Sequence, residues 1–79
     1  MAIEKRHPVE EVVLAIQSRL LGWNPNVLPK WGADGDYGDE TVEAVKSFQT
    51  AKGITSTGSV DGLTLALLHD HAAAGSDST

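Results

Sequence analysis

Carboxylates crowd a glycine-rich stretch near the middle of the chain, and such crowding raises the question of a calcium loop. The cluster comprises Asp34, Asp36, Asp39 and Glu40. An EF-hand loop that began at Asp34 would need glycine at its sixth position and glutamate at its twelfth. The chain has Asp39 and Val45 at those positions. The sequence therefore does not predict an EF-hand site.

Three histidines are the other candidates for metal chemistry. They are His7, His69 and His71. Helical zinc ligands come in pairs at i and i+4, whereas His69 and His71 are two positions apart and point in different directions on a helix. The C-terminal end of a helix favours cations, so a solvated histidine pair near the end of the third helix is the better interpretation. We expect no metal site.

Residues for hydrolytic chemistry are also missing from the sequence. There is no cysteine nucleophile, and the chain has no Gly-x-Ser-x-Gly elbow. The carboxylates fall on predicted turns and exposed helix faces rather than in a pair that would flank a cleft. We therefore expect no catalytic residue, no cofactor and no enzymatic activity in this chain.

The first element that must position any site is a helix over residues 9–21. Its apolar residues recur at i, i+3, i+4, i+7 and i+11 from Val9 to Leu20, which is the spacing of one helix face. Gly22 is its predicted stop. Residues 23–38 are rich in glycine, proline and asparagine, and this composition predicts a long loop.

Two further helices follow the loop. The second is predicted over about residues 40–52, with Asp39 as its N-cap and Gly53 as a left-handed stop. The third is predicted over about residues 62–73, with Asp61 as its N-cap. Three helices that share one small core make this an all-α, compact three-helix module.

An internal repeat links the second and third helices. Each repeat has a glycine turn, a short extended anchor and a helix with an inward threonine and aliphatic residue. At Gly35, Gly38 and Gly58 we expect turns with positive φ. The spacing that the two repeats share is Gly35-x-Tyr37-x-x-x-Thr41-x-x-x-Val45 and Gly58-x-Val60-x-x-x-Thr64-x-x-x-Leu68.

A longer pattern covers nearly the whole chain, approximately residues 9–71. An upstream Ile16-Gln17-x-x-Leu20 precedes the run Asp34-Gly35-x-Tyr37-Gly38-x-x-Thr41-x-x-Ala44-Val45-x-x-Phe48-Gln49-x-x-x-Gly53-Ile54-x-x-Thr57-Gly58-x-Val60-Asp61-x-x-Thr64-x-x-x-Leu68. This pattern resembles the peptidoglycan-binding domain family, a group of small three-helix cell-wall-binding modules. The family's catalytic activity resides in separate domains. Here the link over residues 23–33 is longer than in the family, and Gly22 follows the glutamine motif early.

The resemblance implies a shallow binding surface for glycan or stem peptide. Such a surface needs an aromatic platform for sugar rings and amides for hydroxyls and peptide bonds. A structural role is favoured for Tyr37, Gln17 and Gln49, as a core plug or as ligands of loop backbone, and both roles stay open for the two tryptophans. The candidate ligand-binding residues are Trp23, Asn24, Asn26, Trp31, Tyr37, Arg19 and Gln49.

Length and charge restrict the partners. With 79 residues the chain has room for one domain, which we assign to residues 9–73, with an N-terminal arm at 1–8 and a polar tail at 74–79. A net charge of -5 with six scattered basic residues argues against nucleic acid and anionic membranes. The sequence has no apolar run of about 18 residues, so it does not predict membrane insertion. No signal peptide is apparent, so we expect synthesis in the cytoplasm and action at the bacterial cell wall.

Two functions fit these expectations. The first is a non-catalytic peptidoglycan-binding module that retains a carrier protein at the wall, for example a phage product on a virion or accompanying a lysin. The second is a structural or decoration subunit of a larger assembly such as a virion, which keeps the fold for protein contacts. Tryptophans lining an open groove favour the first function, and tryptophans buried against a neighbouring chain favour the second.

Overall fold

Three α-helices surround one core in the computed structural model, which describes residues 3–71. The helices are α1 (Glu10–Trp23), α2 (Asp39–Ala51) and α3 (Gly62–Leu68). The predicted all-α, three-helix class is confirmed. Within the described residues, β structure is limited to one isolated antiparallel bridge between Ile3 and Val60. The predicted tail at residues 74–79 and the predicted end of the third helix near residue 73 lie outside the described residues.

The core forms where α1 packs against both α2 and α3. The buried face of α1 follows the helical spacing that its sequence predicts. Two glutamines and two threonines, Gln17, Gln49, Thr41 and Thr64, are buried along with the apolar side chains. The buried apolar residues are Val13, Ile16, Leu20, Leu28, Tyr37, Ala44, Val45, Phe48, Val60 and Leu68.

The first helix does not end at Gly22, so that prediction was wrong. Helix α1 continues to Trp23, and the Asn24 N–H still donates to the Leu20 carbonyl at 2.9 Å. The Trp23 ring meets Phe48 of α2 edge to face, with centroids 5.2 Å apart. Glycine inside a helix costs about 1 kcal/mol, and the aromatic contact that Trp23 makes offsets that cost.

The start of the second helix also differs from the prediction. Asp39 is its first residue, and Gly38 occupies the N-cap without a side-chain hydrogen bond. Gly38 has φ -95°, so its expected positive φ was wrong. The Asp39 carboxylate instead forms an ion pair with Lys5 of the N-terminal segment, and this hydrogen bond lowers the pKa of Asp39. The left-handed stop at Gly53 is confirmed by its φ of 75°.

The third helix begins as predicted and ends early. The Thr64 N–H donates to the Asp61 carboxylate at 2.9 Å, so the predicted N-cap is confirmed, and this bond lowers the pKa of Asp61. Helix α3 ends at Leu68. The chain then turns so that the His71 carbonyl accepts a 2.8 Å bond from Arg19 and the His71 ring packs on Phe48. These contacts account for the shorter helix.

The N-terminal segment crosses both repeats. Ile3 and Val60 exchange backbone hydrogen bonds of 2.8 and 2.6 Å. The Arg6 N–H donates to the Tyr37 carbonyl at 2.9 Å. Tyr37 and Val60 hold equivalent positions in the two repeats, so residues 3–8 fasten one turn to the other.

Candidate functional site

The first turn is held by a buried glutamine of α1. The Gly35 N–H donates to Gln17 Oε1 at 2.8 Å. Gln17 Nε2 donates to the Asp36 carbonyl at 3.0 Å and to Thr41 Oγ1 at 2.9 Å. It also donates to the Asp34 carboxylate at 3.1 Å. One side chain of α1 thus ties the turn to the first residues of α2.

The second turn is held in the same way by a glutamine of α2. The N–H groups of Thr57 and Gly58 donate to Gln49 Oε1 at 2.9 and 3.0 Å. Gln49 Nε2 donates to the Ser59 carbonyl at 2.9 Å and to Thr64 Oγ1 at 3.0 Å. Gln49 is 1% exposed, so its side chain is not accessible to a ligand in this structure.

The two glutamines therefore have the role that the sequence favoured for them, the binding of turn backbone. Gly35 and Gly58 have nearly the same left-handed φ, 80° and 82°, which confirms the positive φ predicted at these two positions. A buried amide satisfies buried backbone groups that would otherwise cost stability. Each repeat therefore also includes a glutamine. The sequence pattern does not reveal this, because the distance from the glutamine to the glycine differs between the two repeats.

Tyr37 is another candidate that the structure places in the core. Its side chain is fully buried, and its hydroxyl donates to the Gly58 carbonyl at 2.7 Å. Burial raises the pKa of Tyr37, and the charge of Glu4 raises it further. Tyr37 therefore joins the first repeat to the second and offers no open ring to a sugar.

The long loop presents Trp31 instead. Leu28 is buried and anchors the loop. The N–H groups of Lys30 and Trp31 both donate to the Glu40 carboxylate at 2.9 Å, which fixes the tip of the loop against the start of α2. The Trp31 side chain nevertheless remains 65% exposed, with Lys30 Nζ 5.9 Å from its ring centroid.

An open polar pocket of about 450 Å³ lies beside Trp31. Four of its lining residues carry carboxylates, which accept hydrogen bonds from hydroxyl groups. A flat aromatic ring next to carboxylates can stack on the C–H face of a sugar ring while the acids bind its hydroxyls. The residues that line the pocket are Lys30, Trp31, Asp34, Asp36, Gly38, Asp39, Glu40 and Thr41.

The remaining candidates lie elsewhere. Trp23 is partly buried against the core. Asn24 Oδ1 accepts the Asn26 N–H at 3.0 Å, which closes the turn after α1, and Asn26 is exposed. None of these three lines the pocket beside Trp31. Arg19 borders a different groove.

Two features of the molecular surface could not be recognised from the sequence. The sequence pattern raises the acidic cluster only as a candidate calcium site, whereas the structure places its carboxylates in one pocket with Trp31. The second feature is a groove of about 350 Å³ between α1 and α3, and no pattern in the sequence indicated how these two helices would meet. In the part of the chain from residue 3 to residue 71, no group of three or more His, Asp or Glu residues is placed to hold a metal ion.

The fold agrees with a family match. The sequence profile of the peptidoglycan binding domain matches residues 9–68, and the chain belongs to this family. The family binds peptidoglycan and acts at the cell wall. No helix within residues 3–71 is both long and apolar enough to cross a membrane.

Two relatives from Bacillus licheniformis carry similar segments. One, named "Probable N-acetylmuramoyl-L-alanine amidase", is 52% identical over 46 residues, which is 58% of this chain. Another, named "N-acetylmuramoyl-L-alanine amidase CwlL", is 49% identical over 51 residues, or 65% of this chain. In both cases the matched segment spans only 13% of the relative's length. No solved structure matches the chain significantly.

Proposed function

We propose that this chain is a non-catalytic module that binds peptidoglycan glycan through Trp31 and the acidic pocket beside it. The observation that carries the proposal is the exposed Trp31 ring, held in place by the Glu40 carboxylate at the edge of an open polar pocket. Membership of the peptidoglycan-binding family supplies the ligand class. The fixed loop tip lets the ring meet a sugar without first paying to order the loop.

The module's task in this proposal is retention of an attached activity at the wall. A single shallow site binds weakly, but linkage to a second wall-binding unit or a multivalent carrier raises avidity without new contacts. The names of the two relatives are those of wall amidases, which supports a lytic enzyme as the carrier. A phage lysin or a virion would serve the same purpose.

The test is a pull-down of the purified chain by insoluble sacculi stripped of attached polymers. Trp31→Ala removes the platform, and Leu63→Ala removes an equally exposed apolar side chain of α3 (58% exposed) that lines neither the pocket nor the groove. We expect the native chain and Leu63→Ala to be retained and Trp31→Ala to bind up to roughly tenfold more weakly, since a stacked aromatic contact contributes about 0.5–1.5 kcal/mol.

Two results would count against the proposal. Retention of Trp31→Ala at the native level would remove Trp31 from the binding surface. No retention of the native chain at high protein concentration would remove wall binding itself.

The second candidate function is that of a structural subunit in a larger assembly. It is favoured by the same exposed Trp31 ring, because aromatic side chains are enriched in protein interfaces. This function predicts self-association or assembly binding that Trp31→Ala abolishes, and sedimentation of the native chain and the variant distinguishes it from wall binding.

A further inference from the structure

A second concave surface, between α1 and α3, is lined mainly by apolar side chains, unlike the polar pocket beside Trp31. This groove has a volume of about 350 Å³. Buried Ile16 forms part of its wall, and Ile3 of the N-terminal segment also borders it. The groove and the Trp31 pocket share no lining residue. Its lining consists of Ile3, Glu11, Val12, Ala15, Ile16, Arg19, Leu65 and His69.

Opposite charges stand at separate places along this groove. Glu11 and Arg19 are eight positions apart on α1, which corresponds to about 12 Å along the helix axis. Between them lie the small side chain of Ala15 and the apolar Val12. An extended peptide advances about 3.3 Å per residue, so the distance between the two charges suits a peptide of roughly four residues.

The arginine is positioned to receive an anion. Its Nη1 donates to the His71 carbonyl at 2.8 Å, which fixes the guanidinium, and a guanidinium has further N–H donors beyond that one. Among residues 3–71, no carboxylate lies within ion-pairing distance of Arg19. A carboxylate is the anion that a guanidinium binds with paired hydrogen bonds.

From this arrangement we infer that the α1–α3 groove binds the stem peptide of peptidoglycan, with the peptide's terminal carboxylate on Arg19 and the free side-chain amino group of its diamino acid toward Glu11. The inference rests on the proposed function for its ligand class. Alanine methyl groups fit the small apolar surface around Ala15, whereas hydroxyl-rich sugar rings would lose hydration there without hydrogen-bond partners. The chain would then contact peptide and glycan on separate surfaces.

A titration of the full isotope-labelled chain, followed by amide chemical shifts, tests this inference. The probe is a synthetic stem peptide with a free terminal alanine carboxylate, and the matched control is the same peptide with that carboxylate amidated. We expect shifts at Ala15, Arg19 and Leu65, and affinity at least about tenfold lower for the amide, because amidation removes the charge that the guanidinium binds with paired hydrogen bonds. Equal affinity for acid and amide, or shifts that avoid the groove, would overturn it.

Two variants keep the test independent of folding. Ala15→Leu fills the groove with a good helix former at an exposed position, and we expect it to bind the peptide at least about tenfold more weakly. Leu63→Ala should bind as the native chain does. Unchanged peptide binding by Ala15→Leu would contradict the inference.

The same experiment separates the groove from the proposed glycan surface. Retention on sacculi without peptide binding would overturn the groove inference and leave the wall-binding function standing. If the peptide binds at the groove but Trp31→Ala is retained on sacculi like the native chain, the groove inference is supported and the proposed glycan surface at Trp31 is wrong. Neither peptide binding nor retention would remove both.

Discussion

The turns of the two repeats have the same backbone and different surroundings. Gly35 and Gly58 differ in φ by only 2°, from 80° to 82°. Each turn is bound by one buried glutamine, Gln17 or Gln49. The glutamine lies 18 positions before the glycine in the first repeat and 9 positions before it in the second. The segment between glutamine and glycine is thus twice as long in the first repeat, although the same hydrogen bond closes it.

The difference teaches which part of the fold is free to vary. Doubling the length of a loop costs only about 0.6 kcal/mol in closure entropy, while the glutamine contacts at its end are kept. The extra residues of the first repeat carry Trp31 and place it beside four carboxylates. In the second repeat Gly58 is buried, whereas Gly35 of the first repeat is only partly buried. We interpret the second repeat as the structural one and the first as the one that carries a ligand surface.

The largest expected effect comes from removal of the two glutamines. Gln49→Ala should lower the free energy of unfolding by about 2–4 kcal/mol, because it leaves buried donors and acceptors without partners. Gln17→Ala should cost less, since Gln17 accepts a hydrogen bond from one turn N–H, that of Gly35, whereas Gln49 accepts from two. Denaturant unfolding of both variants measures the difference.

Gln17→Met and Gln49→Met are the matched controls, because methionine keeps the side-chain volume and removes only the hydrogen bonds. If the two glutamine positions prove equally sensitive in both series, or if Gln17 is the more sensitive, the distinction between the repeats is wrong.

Alanine at the turn glycines should have the next largest effect. A left-handed φ costs a residue with Cβ about 1–2 kcal/mol. At Gly58 the added Cβ would also lie 2.9 Å from Val42 Cγ1, whereas at Gly53, with φ 75°, nothing lies within 4 Å. Gly58→Ala should therefore destabilise more than Gly53→Ala. At Gly35 the Cβ meets the exposed Glu10 side chain, which can rotate away.

Thermal unfolding of the three alanine variants checks this order. Gly35→Ala should resemble Gly53→Ala, and it should be clearly milder than Gly58→Ala. The reverse order would show that the first turn is the more tightly packed one.

The smallest expected effect is a difference in acid sensitivity at the helix caps. The Thr64 N–H lowers the folded pKa of Asp61 below the unfolded value of about 3.9. The contribution of this carboxylate is therefore complete above that value and is lost as the pH falls through the folded pKa. Gly38, at the equivalent cap of α2, has no side chain to titrate.

Asp61→Asn keeps a good N-cap without the charge. We expect it to match the native chain near neutral pH and to lose less stability than the native chain on acidification from about pH 5 to pH 2. Unfolding curves at several pH values report this, and parallel acid profiles for the two proteins would contradict the assignment.

Much of the fold could be predicted because its local signals are strong. The helical period of α1, the cap at Asp61 and the stop at Gly53 each follow from one or a few neighbouring residues. The repeat was visible from Gly35 and Gly58 onward because the spacing after each glycine is identical.

The predictions that were wrong concern positions where the structure depends on contacts between residues that are far apart in the sequence. Helix α1 passes Gly22 because Trp23 meets Phe48, and Asp39 enters α2 while it pairs with Lys5. The site was predicted only in outline. Residue types identified Trp31 as a candidate, but its exposure and the burial of Tyr37 depend on how the loop folds onto α2.

The most direct test of the account maps where glycan binds. Peptide-free, soluble peptidoglycan glycan strands would be titrated into the labelled chain, and the Trp31 indole signal would be followed beside the amides of Thr57, Gly58 and Ser59. The account predicts that the shifts concentrate at Trp31 and the pocket of the first repeat, while the second turn stays unchanged. Shifts centred on the second turn, with Trp31 unaffected, would contradict it.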